Sequence, residues 1–113
     1  LSENIEVISV VGKYLEHARV YFFGNNEENN LFVGSADCME RNLDRRVEVI
    51  VPIEDDEIRN TILTCLDLQW HDNTKARVID RKQINKYQSK GKSPINAQLD
   101  FKTFLEEKIS SLV

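Results

Sequence analysis

The 113 residues, 41% hydrophobic and 30% charged, make one modest domain able to bury a core beneath a well-solvated surface. No run approaches the ~18 consecutive apolar residues that a membrane span needs, and the opening residues carry no secretory leader. The net charge of −4 argues against nucleic-acid binding by bulk charge. Two cysteines, Cys38 and Cys65, are too few for a disulfide framework or a thiolate metal cluster, and fit reduced thiols in a cytosolic protein. The chain opens on Leu1 without Met, as expected of a piece excised from a longer protein. Its charge is uneven. Arg19, Arg41, Arg45 and Arg46 fall in one short stretch, and a second basic run holds Lys75, Arg77, Arg81, Lys82, Lys86, Lys90 and Lys92. Local arginine clusters in an acidic chain suit a focused anionic ligand; the second run reads equally as a solvated face.

In chain order, Ile5 to Val11 is a short apolar strand ended by Gly12. Arg19 to Phe23 is a second strand, rich in β-branched and aromatic types. The polar run from Gly24 to Asn30 turns the chain into Leu31–Gly34, predicting a hairpin. Arg46 to Val51 is the next strand, stopped by Pro52. From Asp55 the period changes, with Ile58, Ile62, Cys65, Leu66 and Trp70 forming one helical stripe and Asp55 as its N-cap. Lys75 to Ile79 is a short strand, Ser89 to Pro94 a loop. A closing helix carries Phe101, Phe104, Leu105, Ile109 and Leu112 inward, with Asp100 near its start. The sum is an α/β or α+β domain over residues 1–113.

Three groups of residues carry chemistry. On a strand, His17 and Arg19 share a side, so an imidazole and a guanidinium face one site together. Gly34-Ser35-Ala36-Asp37 follows a strand: the glycine admits close backbone approach, the serine offers a hydroxyl, and the aspartate orients a donor. In Arg41-Asn42-Leu43-Asp44-Arg45-Arg46-Val47-Glu48, a strand from Arg46 places Glu48 beside Arg46 on one face, where its carboxylate can fix the tautomer of His17. Each group alone is common in ordinary turns and edge strands. His71, at the end of the long helix, suits the helix dipole.

Together, "GKYLEHARVYFF", "VGSADCMERNLDRRVEVIVP", "KARVID" and the opening "LSENI" resemble the C-terminal region of long-type bacterial polyphosphate kinases. The likeness fades after Tyr87, with Asn96-Ala97-Gln98 as a late echo. It implies a phospholipase-D-like fold, a mixed β-sheet flanked by helices. It also implies reversible transfer of the terminal phosphate of ATP to polyphosphate, with magnesium carried by the nucleotide. By the resemblance, His17 is the histidine that protonates a leaving oxygen or stabilises developing charge. Arg19, Ser35, Asp37, Arg41 and Asn42 line the ATP and phosphate site, and Glu48 is its paired carboxylate. The nucleophilic histidine and a nucleotide-contacting arginine would lie upstream of Leu1, so the chain alone is expected to be inactive. The expected partners are ATP or ADP, polyphosphate, the upstream domains and further copies in a homo-oligomer. The expected location is the bacterial cytoplasm, or the periphery of its inner membrane. Cys38 stands where the family usually has an aromatic residue, and Ala18 where it has a polar one. Two other readings compete: a phosphodiesterase or nuclease half-site, disfavoured by His-x-Arg in place of His-x-Lys, and a non-catalytic polyphosphate- or nucleotide-binding module.

Overall fold

The structure, a computed structural model, describes residues 2–24 and 28–113; the middle of the predicted polar turn, 25–27, lies outside them. Two compact units divide the chain.

Glu16–Thr61 form one unit, built on a three-stranded antiparallel sheet in the order β2-β3-β4. The predicted hairpin is β2 (Val20–Phe23) against β3 (Asn30–Gly34), with Val20 opposite Val33 and Tyr21 opposite Phe32. Strand β4 covers Ile50–Pro52 and pairs Ile50 with Gly34 and Pro52 with Phe32. It therefore starts four residues later than Arg46 and ends on the proline. A proline is tolerated there because β4 is an edge strand, where a missing donor costs little. A Cβ on Gly34 would meet the Val49 carbonyl oxygen at 2.7 Å and Ile50 Cα at 3.2 Å. The glycine thus lets β4, and not a ligand, approach β3 closely. A short helix, α1 (Glu40–Asp44), has no counterpart in the apolar periodicity, which five residues cannot display. Leu31, 2% exposed, is the large apolar side chain most deeply buried among the described residues.

The other unit comprises the described residues up to Leu15 together with Ile62–Val113. Only Ile8–Ser9 of the predicted first strand pair, as β1, with β5 (Arg77–Val78). The predicted long helix is α2 (Asp56–His71), which begins in the first unit. Asp55 caps it as expected, its Oδ1 accepting from the Ile58 N–H at 2.9 Å. The closing helix is α3 (Ala97–Leu112), capped by Asn96, whose Oδ1 accepts from Leu99 N–H at 3.3 Å. At the end of α2, His71 lies within 3.2 Å of Asp67 one turn earlier, on the terminal turn that favours a cation.

The α/β class stands, with the described strands arranged in two small antiparallel sheets. Each unit carries its own sheet, and α2 joins β4 to a strand of the other one.

Asp72 organises the second unit. Its carboxylate is 1% exposed and accepts four backbone N–H bonds: Thr74 (3.1 Å), Lys75 (2.8 Å) and Ala76 (3.0 Å) on Oδ1, and Ala97 (2.8 Å) on Oδ2. Burial pushes its pKa up, but the donors from Ala97, Lys75, Ala76 and Thr74 outweigh it and hold the group below the usual carboxylate range. Buried Gln88 adds a clamp, its Nε2 donating to the carbonyls of Trp70 (2.7 Å) and Asp72 (2.9 Å).

Candidate functional site

The strand register of the first unit gathers three separated stretches. Gly34 N–H bonds the Arg19 carbonyl at 3.1 Å, and Ser35 N–H bonds the Val49 carbonyl at 2.9 Å. Residues 17–19, 34–37 and 48–49 therefore lie side by side at one end of the sheet. They open onto a concavity of about 390 Å³, lined at its rim by His17, Arg19 and Ser35 and floored by Val20, Val33 and Val51. These three valines share a face because Val20 pairs with Val33, and Val33 with Val51.

Arg19 is held firmly. Its Nε donates to Asp37 Oδ1 at 2.8 Å, Nη2 to Oδ2 at 3.4 Å, and Nη1 to the His17 carbonyl at 3.0 Å. Of the five guanidinium N–H donors, three are occupied and two remain for a ligand. The Arg19 hydrogen bond, followed by the charges of Arg19 and Arg41, holds the Asp37 carboxyl below its ordinary pKa against a partial desolvation that raises it. Asp37 is thus an ionised orienting group for Arg19.

Ser35 is held as tightly. Its hydroxyl donates to Glu48 Oε2 at 2.5 Å and accepts from Val49 N–H at 3.1 Å. Glu48 Oε1 accepts from Asn42 Nδ2 at 2.8 Å. Hydrogen bonds from Ser35 and Asn42 keep Glu48 below the ordinary glutamate range. Asn42 is the buried residue of α1, so this short helix serves to deliver one amide to Glu48.

The sequence residues His17, Arg19 and Ser35 come together at the concavity, and Asp37, Glu48 and Asn42 attach behind them. Arg41 lies on α1, exposed, and acts on Asp37 through its charge. The expected link between Glu48 and His17 is not formed: both carboxylate oxygens are taken by Ser35 and Asn42. Glu48 precedes β4, so it does not share a strand face with Arg46, and the serine hydroxyl intervenes. The imidazole of His17 is exposed. Tyr21 escaped the sequence reading; its hydroxyl donates to the Ala36 carbonyl and pins the turn ahead of Asp37. Burial, then the Cys38 contact at 3.9 Å, raises the Tyr21 pKa, keeping it a neutral donor. Strand alternation from Val20 was the available signal, since it sets Tyr21 opposite the valine floor.

Arg19 and His17 bring N–H groups to an otherwise largely apolar lining, while the Ser35 proton and both carboxylates are engaged in protein hydrogen bonds. Guanidinium and imidazole N–H groups suit phosphate oxygens. Among the described residues no group of three His, Cys, Asp or Glu could hold a metal ion.

The family model described as "Polyphosphate kinase C-terminal domain 2" matches residues 1–98. The chain belongs to the polyphosphate kinase family. It is 44% identical over 98 residues to the polyphosphate kinase of Staphylococcus epidermidis, covering 87% of this chain and 13% of that protein. It is 40% identical over 107 residues to the polyphosphate kinase of Vibrio vulnificus, 94% of this chain and 15% of that one. The crystal structure of polyphosphate kinase from Porphyromonas gingivalis superposes with a TM-score of 0.91 at 36% identity, over 96% of this chain and 17% of that one. The chain thus spans roughly a seventh of these polyphosphate kinases and corresponds to their C-terminal domain.

Proposed function

We propose that this polyphosphate kinase domain supplies half of a site for reversible transfer of the terminal phosphate of ATP to polyphosphate. The nucleophilic histidine would come from another part of the full-length protein. The observation that carries the reading is the concavity that brings the His17 imidazole beside the Arg19 guanidinium, with Asp37 and Glu48 turned to protein partners.

In this scheme the two remaining N–H groups of Arg19 grip phosphate oxygens while Asp37 keeps the guanidinium in place. Exposed His17 donates a proton to the leaving oxygen, or stabilises its charge when protonated. Glu48 acts indirectly: with Asn42 it holds the Ser35 hydroxyl at the concavity edge. Arg41 adds positive potential from α1. Magnesium is expected to arrive with the nucleotide, since the side chains here are hydrogen-bond donors. A bacterial cytoplasmic location is part of this proposal; among the described residues no helix is long and apolar enough to cross a membrane. Association into a homo-oligomer belongs to the same proposal.

The test restores the upstream domains and replaces His17 with Ala. Phosphate transfer should fall by about 10²–10⁴-fold with an unchanged circular-dichroism spectrum. Undiminished transfer by a folded variant would remove His17 from the mechanism. Residues 1–113 alone should synthesise no polyphosphate from ATP.

A further inference from the structure

A second concavity, of about 380 Å³, lies wholly within the unit that contains Asp72. Gly12, Lys13, Lys75, Asn96 and Gln98 line it, with two aliphatic side chains and no carboxylate. Lys13 and Lys75 are exposed, and among the described residues neither ammonium pairs with an acidic group. Elsewhere Lys90 pairs with Glu6 at 3.4 Å and Lys102 with Glu106 at 3.3 Å. Lys13 stands instead over the Tyr14 ring, 5.5 Å from its centroid. The Asn96 carbonyl is spent on Leu99 N–H, which leaves its Nδ2 hydrogens without an acceptor among the described residues.

The wall itself is fixed. Gln98 Oε1 accepts from Tyr14 N–H at 2.9 Å and its Nε2 donates to the Tyr14 carbonyl at 2.8 Å. A Cβ on residue 12 would overlap that carboxamide, so a larger residue there would have to displace the Gln98 side chain. The start of α3 contributes little directly, since the N–H groups of Ala97, Leu99 and Asp100 are bonded to Asp72 and Asn96.

We propose that this concavity is a second phosphate-binding site, holding a condensed phosphate between Lys13 and Lys75 with Asn96 as a further donor. Two unpaired cations on one rim of a net-acidic chain repel each other. A polyvalent anion relieves that repulsion, whereas a monovalent ion neutralises only one of them. The choice of a condensed phosphate as ligand rests on the proposed transfer function; the cationic site itself does not.

The experiment is a backbone-amide NMR titration of the 113-residue chain with tripolyphosphate, and with chloride at matched ionic strength. Saturable shifts are expected at Gly12, Lys13, Lys75 and Gln98, weakened about tenfold or more by K13Q/K75Q and retained by K13R/K75R. Should the double variant fail to fold, K75Q alone serves, with a smaller loss expected. Shifts confined to His17–Asp37, shifts matched by chloride, or shifts indifferent to K13Q/K75Q would each overturn the inference. The first of these leaves the transfer site supported. Shifts at Gly12, Lys13, Lys75 and Gln98 with none at His17–Asp37 would uphold this inference and count against that site.

Discussion

Asp72 and Glu48 are both ionised, both accept several hydrogen bonds and both sit below their ordinary pKa, yet they do different work. Every donor to the Asp72 side chain is a backbone N–H, whereas the donors to Glu48 are the side chains of Ser35 and Asn42. Backbone donors fix the course of the chain and leave nothing to move. Side-chain donors can rotate and exchange partners at modest cost, which suits a carboxylate behind the proposed phosphate site. The difference teaches that the kind of donor, more than the pKa, separates scaffold from site.

The comparison is broken most sharply at Asp72. Asp72→Ala leaves four N–H groups without their acceptor and should destabilise the chain by about 3–4 kcal/mol in urea unfolding. A loss below about 1 kcal/mol would mean that the four bonds are readily replaced by water. In the other unit, Gly34→Ala forces β4 away from β3 and should cost about 2–3 kcal/mol. Because Ser35 follows directly, this variant should also weaken phosphate binding in a titration; unchanged affinity would separate the strand spacing from the site.

The smallest effect concerns pH. Asp37, Glu48 and Asp72 all have depressed folded pKa values, so the stability they contribute is present above the unfolded values near ~4. It is lost as pH falls through the folded values. Arg19→Gln removes the largest cause of the Asp37 shift, so stability should fall less steeply with acid than in the parent chain. The slope due to Asp72 should persist, since its donors are main-chain. Parallel acid limbs for the two proteins would show that Arg19 is not what holds Asp37 ionised.

The hairpin was legible because β-branched and aromatic runs flank a polar turn, and α2 because Asp55 caps an apolar stripe. The site was legible only in part. His17 and Arg19 could be placed together from strand geometry and Ser35 beside them only through the family resemblance, but the partner of Glu48 could not. That partner is a hydroxyl brought in by β3–β4 pairing, which also takes the Val49 N–H and delays the strand to Ile50. Asp72 gave no signal at all, since one of its donors, Ala97, lies far along the chain and the others sit in an unremarkable polar turn.

The clasp between Gln98 and Tyr14 sets a practical limit on how the domain can be cut. The matched family segment closes on that same glutamine, at residue 98. A boundary drawn a single position earlier would remove both hydrogen bonds and loosen the stretch at Tyr14.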